Sequence, residues 1–502
     1  MSKIINRGIV AVLLAIAIPL CGTAQERDTV PMPKVNIDSI MKHIVELSSE
    51  TYEGRLAGSQ GYNRAMGYVE RELSRLGAKP MDVRRGEPVW ELPFALECNE
   101  VENAKFNVYR PGSKEKRVFS LGNEFCCAGA TGRGYVDAQL VFCGYGIDNT
   151  LYNEYDGVDT KGKIVVVLTG LPAEHPLPQS VADRYVSLRD KARAAERHGA
   201  IGMLVVTVTP TCPDDEPQGR AWCGELPHMP TFPVLILSHD CGREIFMGEQ
   251  MELDAAIATY PHSFSLLKKA EIDINARYSP QAQTANVVGI LEGSDAALSR
   301  ELIVVGASMD GLGIQGGTCL FPGADINASG VAAVLEVARV LSDPEYRPRR
   351  SVAFVLFSGS EQQYLGSRKF IPDFPKLRHV EAFVGVQNIG SGDSVVVLGG
   401  GRFPSLYEVA WNRDTVAGRQ NIVRGGEKNT ARGDARAFEA VGIPSLMFTT
   451  QDGMHHNHTT TDMWENIDRR ILLTTTTLLT ETITQLGEGL YQGRSQQSRM
   501  LR

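Results

Sequence analysis

The chain has 502 residues, of which 43% are hydrophobic and 22% charged, and it carries a formal net charge of −8. That length is more than one compact core holds, so two or three domains are expected, and the composition excludes a disordered or collagen-like polymer. The acidic excess is spread without basic blocks, which argues against a nucleic-acid-binding surface; "RPRR" at Arg347 to Arg350 reads as a solvated loop before a strand.

Residues 1–24 open with Lys3 and Arg7, run through apolar residues from Ile9 to Leu20, and end with Gly22 and Ala24 before Gln25. This is the pattern of a cleaved secretory signal peptide and predicts a secreted or periplasmic protein. Cys21 offers lipid attachment as the alternative, against which stands the bulky Leu20 just before it. No other run is long and apolar enough to span a bilayer. An exported chain is permitted disulfides. Cys212 and Cys223 bracket a Pro/Asp/Gly-rich loop and are the best candidates for a pair; with Cys98, Cys126, Cys127, Cys143, Cys241 and Cys319 the set reads as buried thiols plus one or two bridges.

From residue 25 to 131 lies a helical part and its lead-in. Ile37, Ile40, Ile44 and Leu47 repeat at helical spacing, as do Tyr62, Met66, Val69, Leu73 and Leu76 before Gly77, so two amphipathic helices are predicted with the Gly-punctuated loop "YEGRLAGSQGY" between them. Residues 132–265 change to short β-rich runs ("YVDAQLVFCGYGI", "GKIVVVLTG", "GMLVVTVTP", "FPVLILS") with one helix, "RDKARAAERHGA", and read as an inserted module. Residues 266–490 alternate continuous apolar strands ("ELIVVGA", "SVAFVLFSG", "EAFVGVQNIG") with helices. That pattern predicts an α/β domain whose mostly parallel central sheet is flanked by helices on both faces. Residues 491–502 form a tail.

Ligands of such sheets collect at the carboxyl ends of the strands. Reading off those ends gives Ser308 and Asp310, then Asp325, then Ser360 and Glu361, then Gln387, and finally the histidine-bearing loop "DGMHHNHTTTD" with His455, His456 and His458. Asp, Glu and His converging on one sheet edge is a donor set suited to a divalent metal such as zinc. "RGD" at Arg432 to Asp434 is read as unremarkable local sequence and not as an adhesion motif. "GGGR" at Gly399 to Arg402 is read as a turn without the strand and helix of a phosphate loop.

The blocks "YEGRLAGSQGYNRAMGYVERELSRLGAKP", "TANVVGILEGSDAALSRELIVVGA", "GADINASGVAAVLEVARVL", "FSGSEQQYLGS", "AVGIPSLMF" and "HTTTDMWENID", in that order, resemble the secreted zinc aminopeptidase family. That family includes bacterial leucyl aminopeptidases, plasma glutamate carboxypeptidases and, as a non-catalytic relative, the transferrin receptor. The insert resembles a protease-associated domain. The resemblance implies two zinc ions bridged by a carboxylate, which act as Lewis acids on a bridging hydroxide, with a Glu as general base.

Carried over position by position, Asp325 matches the bridging Asp, Glu361 a ligand Glu and His458 a ligand His. Ser308 stands where the family has a ligand His, leaving Asp310 without the imidazole it would orient. Gln387 stands where the family has a ligand Asp, and its neighbour Asn388 would face the other way on a strand. Ser360 stands at the general-base position. The resemblance therefore implies at most one zinc, held by Asp325, Glu361 and His458, where the family holds two. His455 and His456 could substitute as base or ligand, or brace the loop of His458. The expected function is binding of a peptide, sugar or protein in the cleft or on the insert with impaired catalysis. The alternative is an active mononuclear metallo-aminopeptidase.

Overall fold

The computed structural model describes residues 33–129, 131–172, 174–178, 181, 183–208, 228–258, 263–416, 421–422, 432–453 and 456–491. The signal peptide with Cys21, the Cys212–Cys223 loop, His455 and residues 492–502 of the tail lie outside them.

The two predicted N-terminal helices form. Helix α1 (Ile37–Leu47) starts where the Asn36 side chain accepts the N–H groups of Asp38 and Ser39, and α2 (Gln60–Arg75) starts at Ser59, whose hydroxyl accepts from Tyr62. Their apolar stripes, Ile40, Ile44 and Leu47 on one and Tyr62, Val69 and Leu73 on the other, are buried in one core.

Strand β1 (Glu91–Tyr109) follows, then the insert: β2 (Phe125–Cys127), β3 (Gly134–Phe142), β4 (Ile164–Leu168), α3 (Leu188–Arg197), β5 (Gly202–Val206), β6 (Val234–Leu237) and α4 (His239–Phe246). Strand β7 (Phe264–Leu291) leads into β8 (Leu302–Ser308), α5 (Gly330–Ser342), β9 (Ser351–Phe357), α6 (Leu365–Asp373), β10 (Val380–Val386), β11 (Ser394–Leu398), α7 (Pro404–Val416), α8 (Ala435–Ala440), β12 (Ser445–Gln451) and α9 (Arg469–Gly487).

One sheet runs through both parts in the order β11-β12-β10-β8-β9-β7-β3-β4-β5-β6-β2. Strands β8, β9, β10 and β12 are parallel to their neighbours within this group, as predicted; β7 and β11 flank them antiparallel, so the sheet is mixed. Alternate residues of β8 face opposite cores. Ile303 and Val305 pack under α1, α2 and α5, whereas Val304 packs with Phe357, Phe370, Phe383 and Phe438. Burial on both faces is why these strands read as unbroken apolar runs.

Strand β7 is continuous for 28 residues. Its first half alternates buried and exposed residues against β3, and from Thr284 to Leu291 every residue is buried against β9. Strand β1 pairs antiparallel with β7 from Glu91 to Tyr109, with register shifts at Asn275/Ala276 and Ser279/Ala282. This ribbon carries the insert. The insert's own strands β3, β4, β5 and β6 are parallel, with apolar side chains on both faces.

Two local readings are corrected. Arg350 of "RPRR" is 1% exposed, because its guanidinium reaches Glu301 and the Leu486 carbonyl. "GGGR" does have a strand before it (β11) and a helix after it (α7), and the Arg402 N–H donates to Gly399 to close the turn.

Among the described residues no helix is long and apolar enough to cross a membrane. Phe438 lies 4.0 Å from Phe383, centroid to centroid, and its edge meets Phe357. Phe438→Ala is expected to cost about 3–5 kcal/mol in denaturant unfolding.

Candidate functional site

The carboxyl ends of β8, β9, β10 and β12 lie along one edge, and a cleft opens there against β1. It is narrow and is lined by Glu97, Asn99, Asp310, Gln315, Glu361 and Gln362, among others.

Ser308 ends β8. It is 1% exposed, and its hydroxyl donates to Asp434 at 2.7 Å. Asp434 sits just before α8, 2% exposed, and burial pushes its carboxyl up to about 6. The RGD triplet thus hides its aspartate in the protein, in line with the unremarkable reading of that motif. Asp310 is fully buried and accepts the main-chain N–H of Ser360 at 3.0 Å and of Glu361 at 3.4 Å. Burial, with the Glu361 charge adding to it, lifts Asp310 to about 7 despite those bonds. In place of an imidazole, Asp310 orients the turn after β9.

Ser360 accepts the Asn327 amide at 3.2 Å, and the same amide donates to the Asp310 carbonyl at 2.8 Å. Gln387, just past β10, donates weakly to the Tyr364 hydroxyl at 3.4 Å. Asn388 lies past the end of β10 and not on the strand; it adopts a left-handed backbone with φ 52°, and it is buried. Glu361 and His458 come together, with the imidazole Nε2 3.0 Å from a carboxylate oxygen. His458 also has a left-handed backbone, φ 57°. His456 stays at the loop surface with Nδ1 on the Thr461 hydroxyl at 2.9 Å, which fits the bracing role.

Among the described residues Asp325 is not grouped with the Glu361–His458 pair. It lies in the turn between β8 and α5, 3% exposed. One carboxylate oxygen accepts the Gly390 N–H at 2.7 Å and the Ser329 hydroxyl at 3.0 Å, and the other meets the Ser391 hydroxyl. A Cβ at Gly390 would stand 2.9 Å from that oxygen, so the close approach requires glycine.

Zinc asks for three or four ligands converging at about 2.0–2.3 Å. Among the described residues no three His, Cys, Asp or Glu side chains gather in that way. Ser308, Ser360 and Gln387 occupy the remaining positions and are already hydrogen-bonded to the protein. Among the described residues, the groups at these positions therefore do not fit the family's two-zinc shell.

Three groups that order this edge were not singled out from sequence. Arg55, in the loop before α2, is fully buried and donates to the carbonyls of Leu47, Met309, Pro322 and Gly323. Burial pulls its guanidinium down to about 10, so it stays charged. Asp462 accepts the N–H groups of Asp325 at 2.7 Å and Ile326 at 3.1 Å; burial and the neighbouring Asp325 raise it to about 7. Asp434 is the third. The sequence signals were an Arg inside a glycine loop, an Asp inside "HTTTDMWENID" and the Asp of "RGD", which was read as unremarkable.

The architecture and this edge define the class: a metallopeptidase-type α/β domain with a protease-associated insert. Residues 286–483 match the description "Peptidase family M28" and residues 136–245 the description "PA domain". The aminopeptidase from Aneurinibacillus sp. strain AM-1 is 19% identical, covering 90% of this chain and 94% of that one, with a TM-score of 0.59. The zinc aminopeptidase from Bacillus subtilis is 17% identical, covering 91% of this chain and 96% of that one, with a TM-score of 0.59. At these identities the likeness is one of fold. Human transferrin receptor protein 2 is 23% identical over 301 residues, which are 52% of this chain and 34% of the receptor, so the chain spans about a third of that relative. Residues 286–483 are thus M28 peptidase-like and residues 136–245 PA-domain-like, on a fold shared with zinc aminopeptidases.

Arg55→Met removes donors from four buried carbonyls and is expected to destabilise the fold by on the order of 3 kcal/mol or more in denaturant unfolding. A second expectation concerns pH. The folded Asp434 carboxyl titrates near 6 and its ordinary value is 3.8, so the folded state binds the proton more tightly and stability falls as pH rises through that window. Asp434→Asn should flatten the corresponding part of the stability profile, about 1–3 kcal/mol between those two pH values, in unfolding curves taken across pH.

Proposed function

We propose that this protein has kept the aminopeptidase scaffold and given up most of the reaction, and that it works by binding a peptide or protein segment in the cleft beside the insert. The observation that carries this reading is the state of Ser360. At the position where the family's general base would stand there is a hydroxyl that accepts the Asn327 amide and cannot take a proton from water near neutral pH. Loss of a general base removes about 10²–10⁴-fold of rate. Ser308 and Gln387 add to this, since each spends its polar group on a protein partner.

What remains is a narrow cleft with carboxylates, glutamines and main-chain groups in its wall, donors and acceptors of the kind an extended peptide backbone pairs with. The curated relative with this sequence likeness is named as a receptor, which supports a binding role for the scaffold. Export through residues 1–24 would place that binding outside the cytoplasm. The Glu361–His458 approach favours one rival, a mononuclear metallo-aminopeptidase.

A panel of aminoacyl and dipeptide substrates, assayed with the purified protein with and without a chelator, separates the two. Rates at the buffer background are expected. Chelator-sensitive turnover in the ordinary range of peptidases would overturn the binding role.

A further inference from the structure

We propose that Asp325 is a main-chain brace and not a metal ligand, and that the loops of this cleft are held in place without zinc. The inference rests on the reading of the cleft as that of an M28 peptidase-like domain, and it goes beyond that reading by assigning the carboxylate at the bridging position a different job.

Asp325 and Asp462 together tie four segments. The Asp325 carboxylate holds the chain after β10 through the Gly390 N–H and the Ser391 hydroxyl, and holds the start of α5 through Ser329. Ser391 lies at the same time against the Gly453 carbonyl, in the loop after β12. Asp462, in the loop that carries His458, takes the N–H groups of Asp325 and Ile326 on its side chain and that of Ala324 at 3.0 Å on its carbonyl.

Every strand-end loop around the expected metal position is thus fixed by a buried carboxylate and a main-chain donor. Those donors also compete with a cation for the carboxylate. The Gly390 N–H points its positive end at one oxygen of Asp325, and a Cβ at Gly390 would overlap Ile467 and stand 2.9 Å from that oxygen, so glycine permits the approach. A cation at Asp325 would share the carboxylate with that dipole and displace the Ser391 hydroxyl from the other oxygen. On the other side Asn327 turns its NH₂, another positive end, toward Ser360 and the Asp310 carbonyl. With one oxygen of Asp325 taken by Gly390 and Ser329, the coordination left to it lies on the Ser391 side, and Ser308 and Gln387, bonded to Asp434 and Tyr364, bring no charged donor to complete a shell there.

The test uses the full chain without an affinity tag, stripped with chelator and then titrated with zinc chloride alone. Heat of binding, bound metal by elemental analysis and thermal unfolding are read together. No saturable uptake is expected, and the melting temperature should stay the same with chelator or with excess zinc. His458→Ala should melt close to the parent, whereas Asp325→Ala should melt well below it, and Asp325→Asn, which keeps an acceptor for Gly390, in between. Uptake of one zinc per chain that raises the melting temperature overturns the proposal, whatever the variants do. If zinc binds without turnover, this inference fails and the binding role stands. If turnover occurs without zinc uptake, the binding role fails and the brace stands.

Discussion

Buried carboxylates that accept main-chain N–H groups hold the working edge of this sheet together. Asp310 fixes the turn after β9, Asp325 fixes the chain after β10, and Asp462 fixes the turn before α5. Loops at the end of a parallel sheet leave main-chain donors inside the protein, and each unpaired one is costly. The carboxylates are themselves destabilised by burial, which is why Asp310 and Asp462 titrate near 7. Arg55 supplies a buried cation near Asp310 and Asp462 and closes the carbonyl side of the same turns. The loops are therefore ordered by hydrogen bonds that the chain makes with itself.

That constraint connects fold to function. In a metal-dependent relative, strand-end side chains must keep lone pairs for the ion. Here the corresponding groups face inward: Ser308 to Asp434, Ser360 to Asn327, Gln387 to Tyr364 and Asp325 to Gly390. What stays presented to the cleft is the Glu361 end of the Glu361–His458 pair, beside the Asp310 wall. The long β1–β7 ribbon passes along this cleft and continues into the insert, so the surface offered to a ligand is shared by both parts of the chain.

The fold was largely legible from residues. Strands buried on both faces announced themselves as apolar runs, and the stripes of α1 and α2 fell at the expected positions. The 28-residue β7 was not legible, because its periodicity changes midway from alternation to a continuous apolar run and two register shifts interrupt its pairing. The parallel order of the insert's strands was equally invisible, since short apolar runs look alike in parallel and antiparallel sheets. At the site, the departures at Ser308, Ser360 and Gln387 could be read from motif positions. The orientation of Asp325 could not: which way a carboxylate turns in a tight turn depends on Gly390 and Ser391, more than sixty residues away. Arg55 and Asp462 were missed for the same reason, as their partners are backbone atoms that carry no sequence signal.

The central claim is that this edge is organised by its own carboxylates with no ion among them. Anomalous diffraction at the zinc absorption edge, from crystals of the full chain grown with zinc, tests it most directly. The account predicts no anomalous peak between Asp325, Glu361 and His458, and an Asp325 carboxylate still bound to Gly390. A peak within about 2.2 Å of oxygens or nitrogens from all three residues would contradict it.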